Sequence, residues 1–490
     1  MRYKNPIIPG FYPDPSVCRA EGKYYLVCSS FQYFPGVPLF ESEDLVNWKQ
    51  IGHVLTRPSQ VQLERVNSSG GVFAPTIRYH DGTFYMVTTN DTTHQNFYVS
   101  TNDIYGEWSE PVFVDQGGID PSLLFDGDKV YFISNGADDF GNGGIVQCEI
   151  DIRTGRKLTP SRAIWSGSGG RYLESPHMYK LDGGYYLMAA EGGTEYGHMI
   201  TYARSDDPWG PFVGYEKNPV LTNRNLGGFE IQGVGHGDLV QAPSGEWFII
   251  HLGFRQIGRY DTFHHIGREV FMTPVHFDSD GFFTAGENGT TGFEYEIEGD
   301  FVQESKKLYT FENTDHLDWV YLRKPHMENY LRTAGGFELT AGEETLDDPL
   351  SPTFVGIRQR AFGGRLRVHL EAESGETGVC VYMDEKHHYE LALAQTEGSF
   401  EVILRLNIGC AKCISGRAPI KGSSADLIIT MNNYAYGFSA EAGGEVITLG
   451  SADTKYVSTE VAGGFTGVLL ALYAQKGGKG SFSDFGLSYE

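Results

Sequence analysis

Short runs of alternating apolar and polar residues, cut by Gly, Asp-Gly and Pro, fill the first 275 residues and predict antiparallel strands joined by tight turns. One phrase recurs: a Gly-containing turn, a pair of bulky residues, then an apolar run. Its copies are EGKYYLVCSS at 21–30, DGTFYMVTTN at 81–90, GDKVYFISNG at 127–136, DGGYYLMAAE at 182–191 and SGEWFIIHLG at 244–253. The first bulky positions, Tyr24, Phe84, Val130, Tyr185 and Trp247, lie 46 to 62 residues apart. A β-rich repeat of that length predicts a five-bladed β-propeller, in which neighbouring blades bury both faces of every sheet. SEDLVNW at 42–48, STNDIYGEW at 100–108 and RSDDPW at 204–209 end second alternating segments, and Trp48, Trp108 and Trp209 are expected to fill gaps between blades.

The repeat fades near residue 275, and the Gly- and acid-rich stretch 280–307 reads as a crossing linker. Beyond it the alternation changes to segments such as RLRVHLEA at 365–372, YELALAQ at 389–395 and ADLIITM at 425–431, which predict a β-sandwich. The chain therefore divides into a propeller over 1–300 and an all-β sandwich over 308–490, the second without a visible catalytic cluster. Its expected role is packing or covering the propeller mouth.

Candidate chemistry follows from the repeat. About ten residues upstream of each bulky pair stand Asp14, Ala74, Asp120, Glu174 and His236. Equivalent positions on radially arranged blades point at one place, so three carboxyl groups and an imidazole are expected to converge near the axis. Asp14 and Asp120 precede Pro, and Glu174 stands in Leu-Glu-Ser-Pro-His; turn chemistry accounts for one Asp-Pro but not for three acids in register. Cleaving a glycosidic bond needs two carboxyl groups in different protonation states. A third acid nearby raises the pKa of the proton donor. His236, in GVGHGDLV, is a candidate for a channel hydrogen bond or for an axial calcium ion.

Composition narrows the partners. A net charge of −25 argues against nucleic acid and against a polybasic membrane role, and suits a neutral oligosaccharide. No apolar stretch is long enough to span a membrane, and the first residues lack a leader's apolar core, so a cytoplasmic location is expected. Six scattered Cys read as reduced, structural residues; Cys410-Ala-Lys-Cys413 stands without a second pair. No Gly-x-Ser-x-Gly, His-Glu-x-x-His or P-loop motif is present, and no organic cofactor is expected.

NPIIPGFYPDPSVC, APTIRYHDGTFYMVTT, GIDPSLLFD, AEGGTEYGHM and IGREVFMTPV closely resemble glycoside hydrolase family 43, in particular its β-xylosidases and α-L-arabinofuranosidases with a C-terminal concanavalin-like sandwich. The resemblance is specific over about residues 4–275 and looser beyond, as at LSPTFVGIRQR. It implies hydrolysis with inversion, with Asp14 as general base, Glu174 as general acid and Asp120 as pKa modulator. Inversion implies a base–acid separation of about 6.5–9.5 Å. By the same resemblance Arg268, Phe31 and Phe73 line the sugar pocket, Phe465 closes it from the second domain, and the protein is a homo-oligomer. A pocket closed in this way implies exo action on xylosyl or arabinofuranosyl ends. An arabinofuranosidase-dominant specificity and a non-catalytic sugar-binding propeller remain alternatives. Relatives often carry Gly at the position of Ser175, and many xylosidases carry Trp where Phe73 stands.

Overall fold

The structure, a computed structural model, describes residues 1–490 except Gly183, Asp315 and Ala334, so the second residue of the fourth repeat phrase lies outside the described residues. Among the described residues there are five four-stranded antiparallel sheets, four built from consecutive strands and the first interrupted by the short strand Tyr33–Phe34, which joins another sheet. Their innermost strands are Ser16–Ala20, Thr76–His80, Ile119–Asp126, Glu174–Leu181 and Ile231–Gln241. Every repeat phrase forms the second strand of its blade: Lys23–Val27, Thr83–Asn90, Lys129–Ala137, Gly184–Glu191 and Trp247–Arg255. Two-residue turns with positive φ at both positions, Glu21-Gly22 and Asp81-Gly82, twist the first two hairpins in the sense their strands require.

Alternation explains how the ring closes. Five apolar clusters occupy the five seams between blades, for example Tyr25, Val27 and Leu39 against Ile77, Phe84 and Met86 in the first. Trp108, Trp48 and Trp209 sit in three of these seams as expected. The last seam is also tied by charge. Buried Asp238 of the fifth blade accepts hydrogen bonds from Ser16 Oγ at 2.7 Å and Val17 N at 3.0 Å in the first, and Arg78 Nη1 of the second blade reaches it at 2.8 Å.

The linker is shorter than the sequence suggests. Phe283–Ala285 is the outermost strand of the fifth blade, and Glu294–Glu296 pairs with Arg2–Lys4 at the chain's start. Both strands are three residues long, too short for alternation to register.

The second domain is a sandwich whose two longest strands, Gly364–Asp384 and Leu469–Tyr489, pair along their length and bend at register shifts between Ala372 and Glu376. Leu366, Val368, Leu391, Val402 and Leu427 belong to its interior. A separate cluster joins the domains: Cys380, Ala392, Ile403, Ala471 and Tyr473 pack with Phe11, Phe31 and Tyr33 of the propeller. The propeller strand Tyr33–Phe34 adds to the sandwich sheet beside Val320–Leu322. All six cysteines are unpaired; four are buried, but Cys410 and Cys413 are exposed at a hairpin rather than packed. Among the described residues no helix is long and apolar enough to cross a membrane.

Candidate active site

Among the described residues four blades place a residue with left-handed backbone at the inner strand, Asp14 (φ 56°), Asp120 (φ 53°) and Ser175 (φ 56°) at its entry and His236 (φ 46°) within it. Non-glycine residues rarely occupy this region, at a cost on the order of 1–3 kcal/mol each, and such strain gathers at functional sites. In the third, fourth and fifth blades the same spot carries a register shift in the ladder, which turns the side chains off the sheet. The repeat position in the fourth blade is therefore held by Ser175, not Glu174. Glu174 stands one residue earlier, outside the strained position, and its side chain is the most open of the three acids at 20% exposed.

Each acid has its own surroundings. Asp14 is buried, which alone would raise its pKa. Arg268 Nη1 donates to its Oδ1 at 2.8 Å, Ser29 Oγ donates to its Oδ2, and His236 Nδ1 lies 3.8 Å away. Together these outweigh burial and hold the carboxyl below the ordinary range. Asp120 is pushed up to about 7, first by burial and then by the charge of Asp14. Ser175 opposes the rise by donating both its backbone N–H and its hydroxyl to Asp120 Oδ2, each at 3.1 Å. Glu174 is pushed up to about 8 by burial, then by Asp120 and Asp14, and Arg268 counters only in part.

Three residues that sequence reasoning missed complete the arrangement. Ser175 Oγ lies 2.6 Å from His236 Nδ1, so it links the third, fourth and fifth blades. Thr194 Oγ1 accepts from Arg268 Nη1 at 2.8 Å. His198 is buried, and burial lowers its pKa to about 4. Its Nδ1 lies 3.1 Å from the carbonyl of Gly233, which can only accept, so Nδ1 carries the proton. The bare Nε2, without a hydrogen-bond partner among the described residues, faces Glu174 Oε1 at 3.9 Å. A lone pair there favours a protonated carboxyl over a carboxylate.

Calcium takes about six to eight oxygen ligands. Among the described residues no group of three or more His, Cys, Asp or Glu side chains is gathered to hold a metal ion. His236 Nδ1 is engaged with Ser175, so any ion could take only its Nε2.

Above the acids lies an aromatic wall. Phe31 packs between Phe11 at 6.0 Å and Phe465 at 5.9 Å, and Phe73 meets Phe31 at 5.5 Å and Phe465 at 6.2 Å. The Arg268 guanidinium sits 5.7 Å from the ring centres of both Phe31 and Phe465 and donates to the Phe465 carbonyl at 3.3 Å. Phe465 comes from a segment of the second domain that is fixed on the propeller. Glu460 binds the backbone N–H and the ring of His264 at 2.9 and 2.8 Å, Val468 N donates to the His265 carbonyl at 2.9 Å, and Phe465 N donates to Ser69 Oγ at 2.8 Å.

Comparison with known proteins agrees with this architecture. The family model for glycosyl hydrolases family 43 matches residues 3–283, and that for the beta xylosidase C-terminal concanavalin A-like domain matches 309–487. A non-reducing end alpha-L-arabinofuranosidase of Bacteroides ovatus is 38% identical over 97% of this chain and 92% of that protein. A xylosidase/arabinosidase of Butyrivibrio fibrisolvens is 35% identical over 99% and 98%. Among solved structures, a family 43 protein of the Bacteroides ovatus xyloglucan locus superposes over the full length of both chains, with a TM-score of 0.93 at 35% identity. A xylan beta-1,4-xylosidase from Bacillus halodurans, also covered in full, reaches 0.90 at 29%.

Proposed function

The chain belongs to glycoside hydrolase family 43, and we propose that it removes single xylosyl or arabinofuranosyl units from the non-reducing ends of short oligosaccharides by one displacement with inversion. The observation that carries this reading is the split between two acids that feel each other's charge. Arg268 keeps Asp14 ionised, while burial and two neighbouring carboxyl groups keep the proton on Glu174. Asp14 is then the base that takes a proton from the attacking water, and Glu174 the acid that protonates the leaving oxygen. Asp120, steadied as an anion by Ser175, holds up the pKa of Glu174.

Exo action is supported by the Phe465 segment, which narrows the mouth from the side of the second domain. Phe31, Phe73 and Phe465 offer apolar faces to a neutral sugar ring. The names of the relatives span both pentoses, and the preference between them is set within this wall.

The test assays the purified protein on nitrophenyl β-D-xyloside, nitrophenyl α-L-arabinofuranoside and xylobiose, alongside Asp14→Asn and Glu174→Gln. The expected result is turnover of at least one aryl pentoside, abolished by Asp14→Asn. Glu174→Gln should damage xylobiose far more than the aryl substrates, whose leaving group needs little protonation. Full activity in Asp14→Asn would overturn the assignment.

A further inference from the structure

Tyr172 is an exposed aromatic at the rim of the site, two residues ahead of Glu174 and 64% exposed. Its neighbour Leu173 packs into the seam between the third and fourth blades, so Tyr172 is turned outward. Its backbone is in the left-handed region at φ 53°, an unfavourable setting for an aromatic residue. The ring is nevertheless held in place. The Arg171 guanidinium lies 5.0 Å from its centre, and Arg171 is fixed by Gly192 O at 3.1 Å and Glu195 Oε2 at 3.1 Å. On the other side the ring rests on Gly193, where an added Cβ would lie 2.9 Å from Cδ2. The next residue, Thr194, accepts from the same Arg268 nitrogen that binds Asp14.

An exposed ring by itself calls for no explanation, but one on a strained backbone and braced from two sides points to a use outside the fold. The position decides which use. Phe31 and Phe465 lie against the Arg268 guanidinium and the Phe465 carbonyl takes Nη2, whereas Thr194, next to the glycine under the Tyr172 ring, takes Nη1. The proton donor Glu174 faces the leaving oxygen, so a ring beside Glu174 at the rim meets the departing sugar. We infer that Tyr172 is the platform for the leaving-group saccharide, its ring stacking on the apolar face of the pyranose on the reducing side of the scissile bond. This rests on the hydrolase reading above. It makes Tyr172 a determinant of which oligosaccharides are accepted rather than of which pentose is released.

The test compares kcat/KM on a pentosyl disaccharide with kcat/KM on the glycosyl fluoride of the same pentose, which has no sugar to place on Tyr172. Asn tolerates the left-handed backbone, so Tyr172→Asn removes the ring while sparing the turn; Tyr172→Phe keeps the ring. Tyr172→Asn is expected to lower kcat/KM on the disaccharide about tenfold, the worth of one good aromatic contact. The fluoride should stay within about twofold, and Tyr172→Phe should behave as wild type on both. An unchanged disaccharide rate in Tyr172→Asn, or an equal loss on both substrates, would overturn the subsite while leaving the hydrolase reading intact. Failure of the wild type on both substrates would instead remove the hydrolase reading, and the subsite with it.

Discussion

Ser175 and Asp120 meet across the seam of the third and fourth blades, where the backbone N–H and the hydroxyl of one serine converge on a single carboxylate oxygen. Two donors stabilise the anion of Asp120. Among the described residues no such pair of donors meets Glu174, so when Asp120 and Glu174 share protons the last one stays on Glu174. The division of labour among three similar acids thus comes from hydrogen bonding at the strand entry, not from residue type.

Removing the charge of Asp120 tests that division. Activity requires Asp14 ionised and Glu174 protonated, so kcat/KM should rise below the ordinary carboxylate range and fall around pH 8. In Asp120→Asn the neighbouring negative charge that helps to raise the Glu174 pKa disappears. The alkaline limb should move to lower pH and the maximum rate should fall; a limb that stays in place would reject the modulator role.

Arg268 joins Asp14, Thr194 and the Phe465 carbonyl through one planar fork. Lysine keeps the charge but cannot hold three partners in that geometry. Arg268→Lys should lower kcat/KM by about a hundredfold, consistent with the loss of roughly 2–3 kcal/mol of charged hydrogen bonding. The shorter lysine also sets its charge further from the buried Asp14, so the acid limb should move upward. Steady-state rates across pH measure both effects.

Glu174 should also be a stability liability. Its folded pKa lies above the unfolded value, so it costs nothing below about pH 4. The penalty grows as the pH rises from there and is complete above about 8. Glu174→Gln should therefore raise Tm by a few degrees at pH 9 and leave it nearly unchanged at pH 4. Thermal melts at the two pH values check the sign, and equal shifts at both would contradict it.

Much of this was legible in the chain because each blade writes its second strand in the same words. The repeat located Asp14, Asp120 and His236, and it missed the register of Glu174 by one because Ser175 interrupts the Asp-Pro pattern seen in the first and third blades. Arg268 and Phe465 came only through family resemblance; nothing periodic marks them. Thr194 and His198 lie within AEGGTEYGHM, which the resemblance covers, but nothing in that segment marks their roles, which arise only where the loop meets Arg268 and the fifth blade. The core shared by the two domains was equally hidden, since a two-residue strand at Tyr33–Phe34 leaves no alternation to read. Strong local patterns reported the sheets, whereas contacts made once across the fold did not report themselves.

The central claim, one displacement with Asp14 activating water and Glu174 protonating the leaving oxygen, is tested most directly by the anomeric configuration of the first product. Proton NMR during the opening minutes of hydrolysis, before mutarotation, reads it. The account predicts that a β-xyloside first gives α-xylose, or an α-arabinofuranoside first gives the β-anomer. A first product that keeps the substrate's configuration would contradict it.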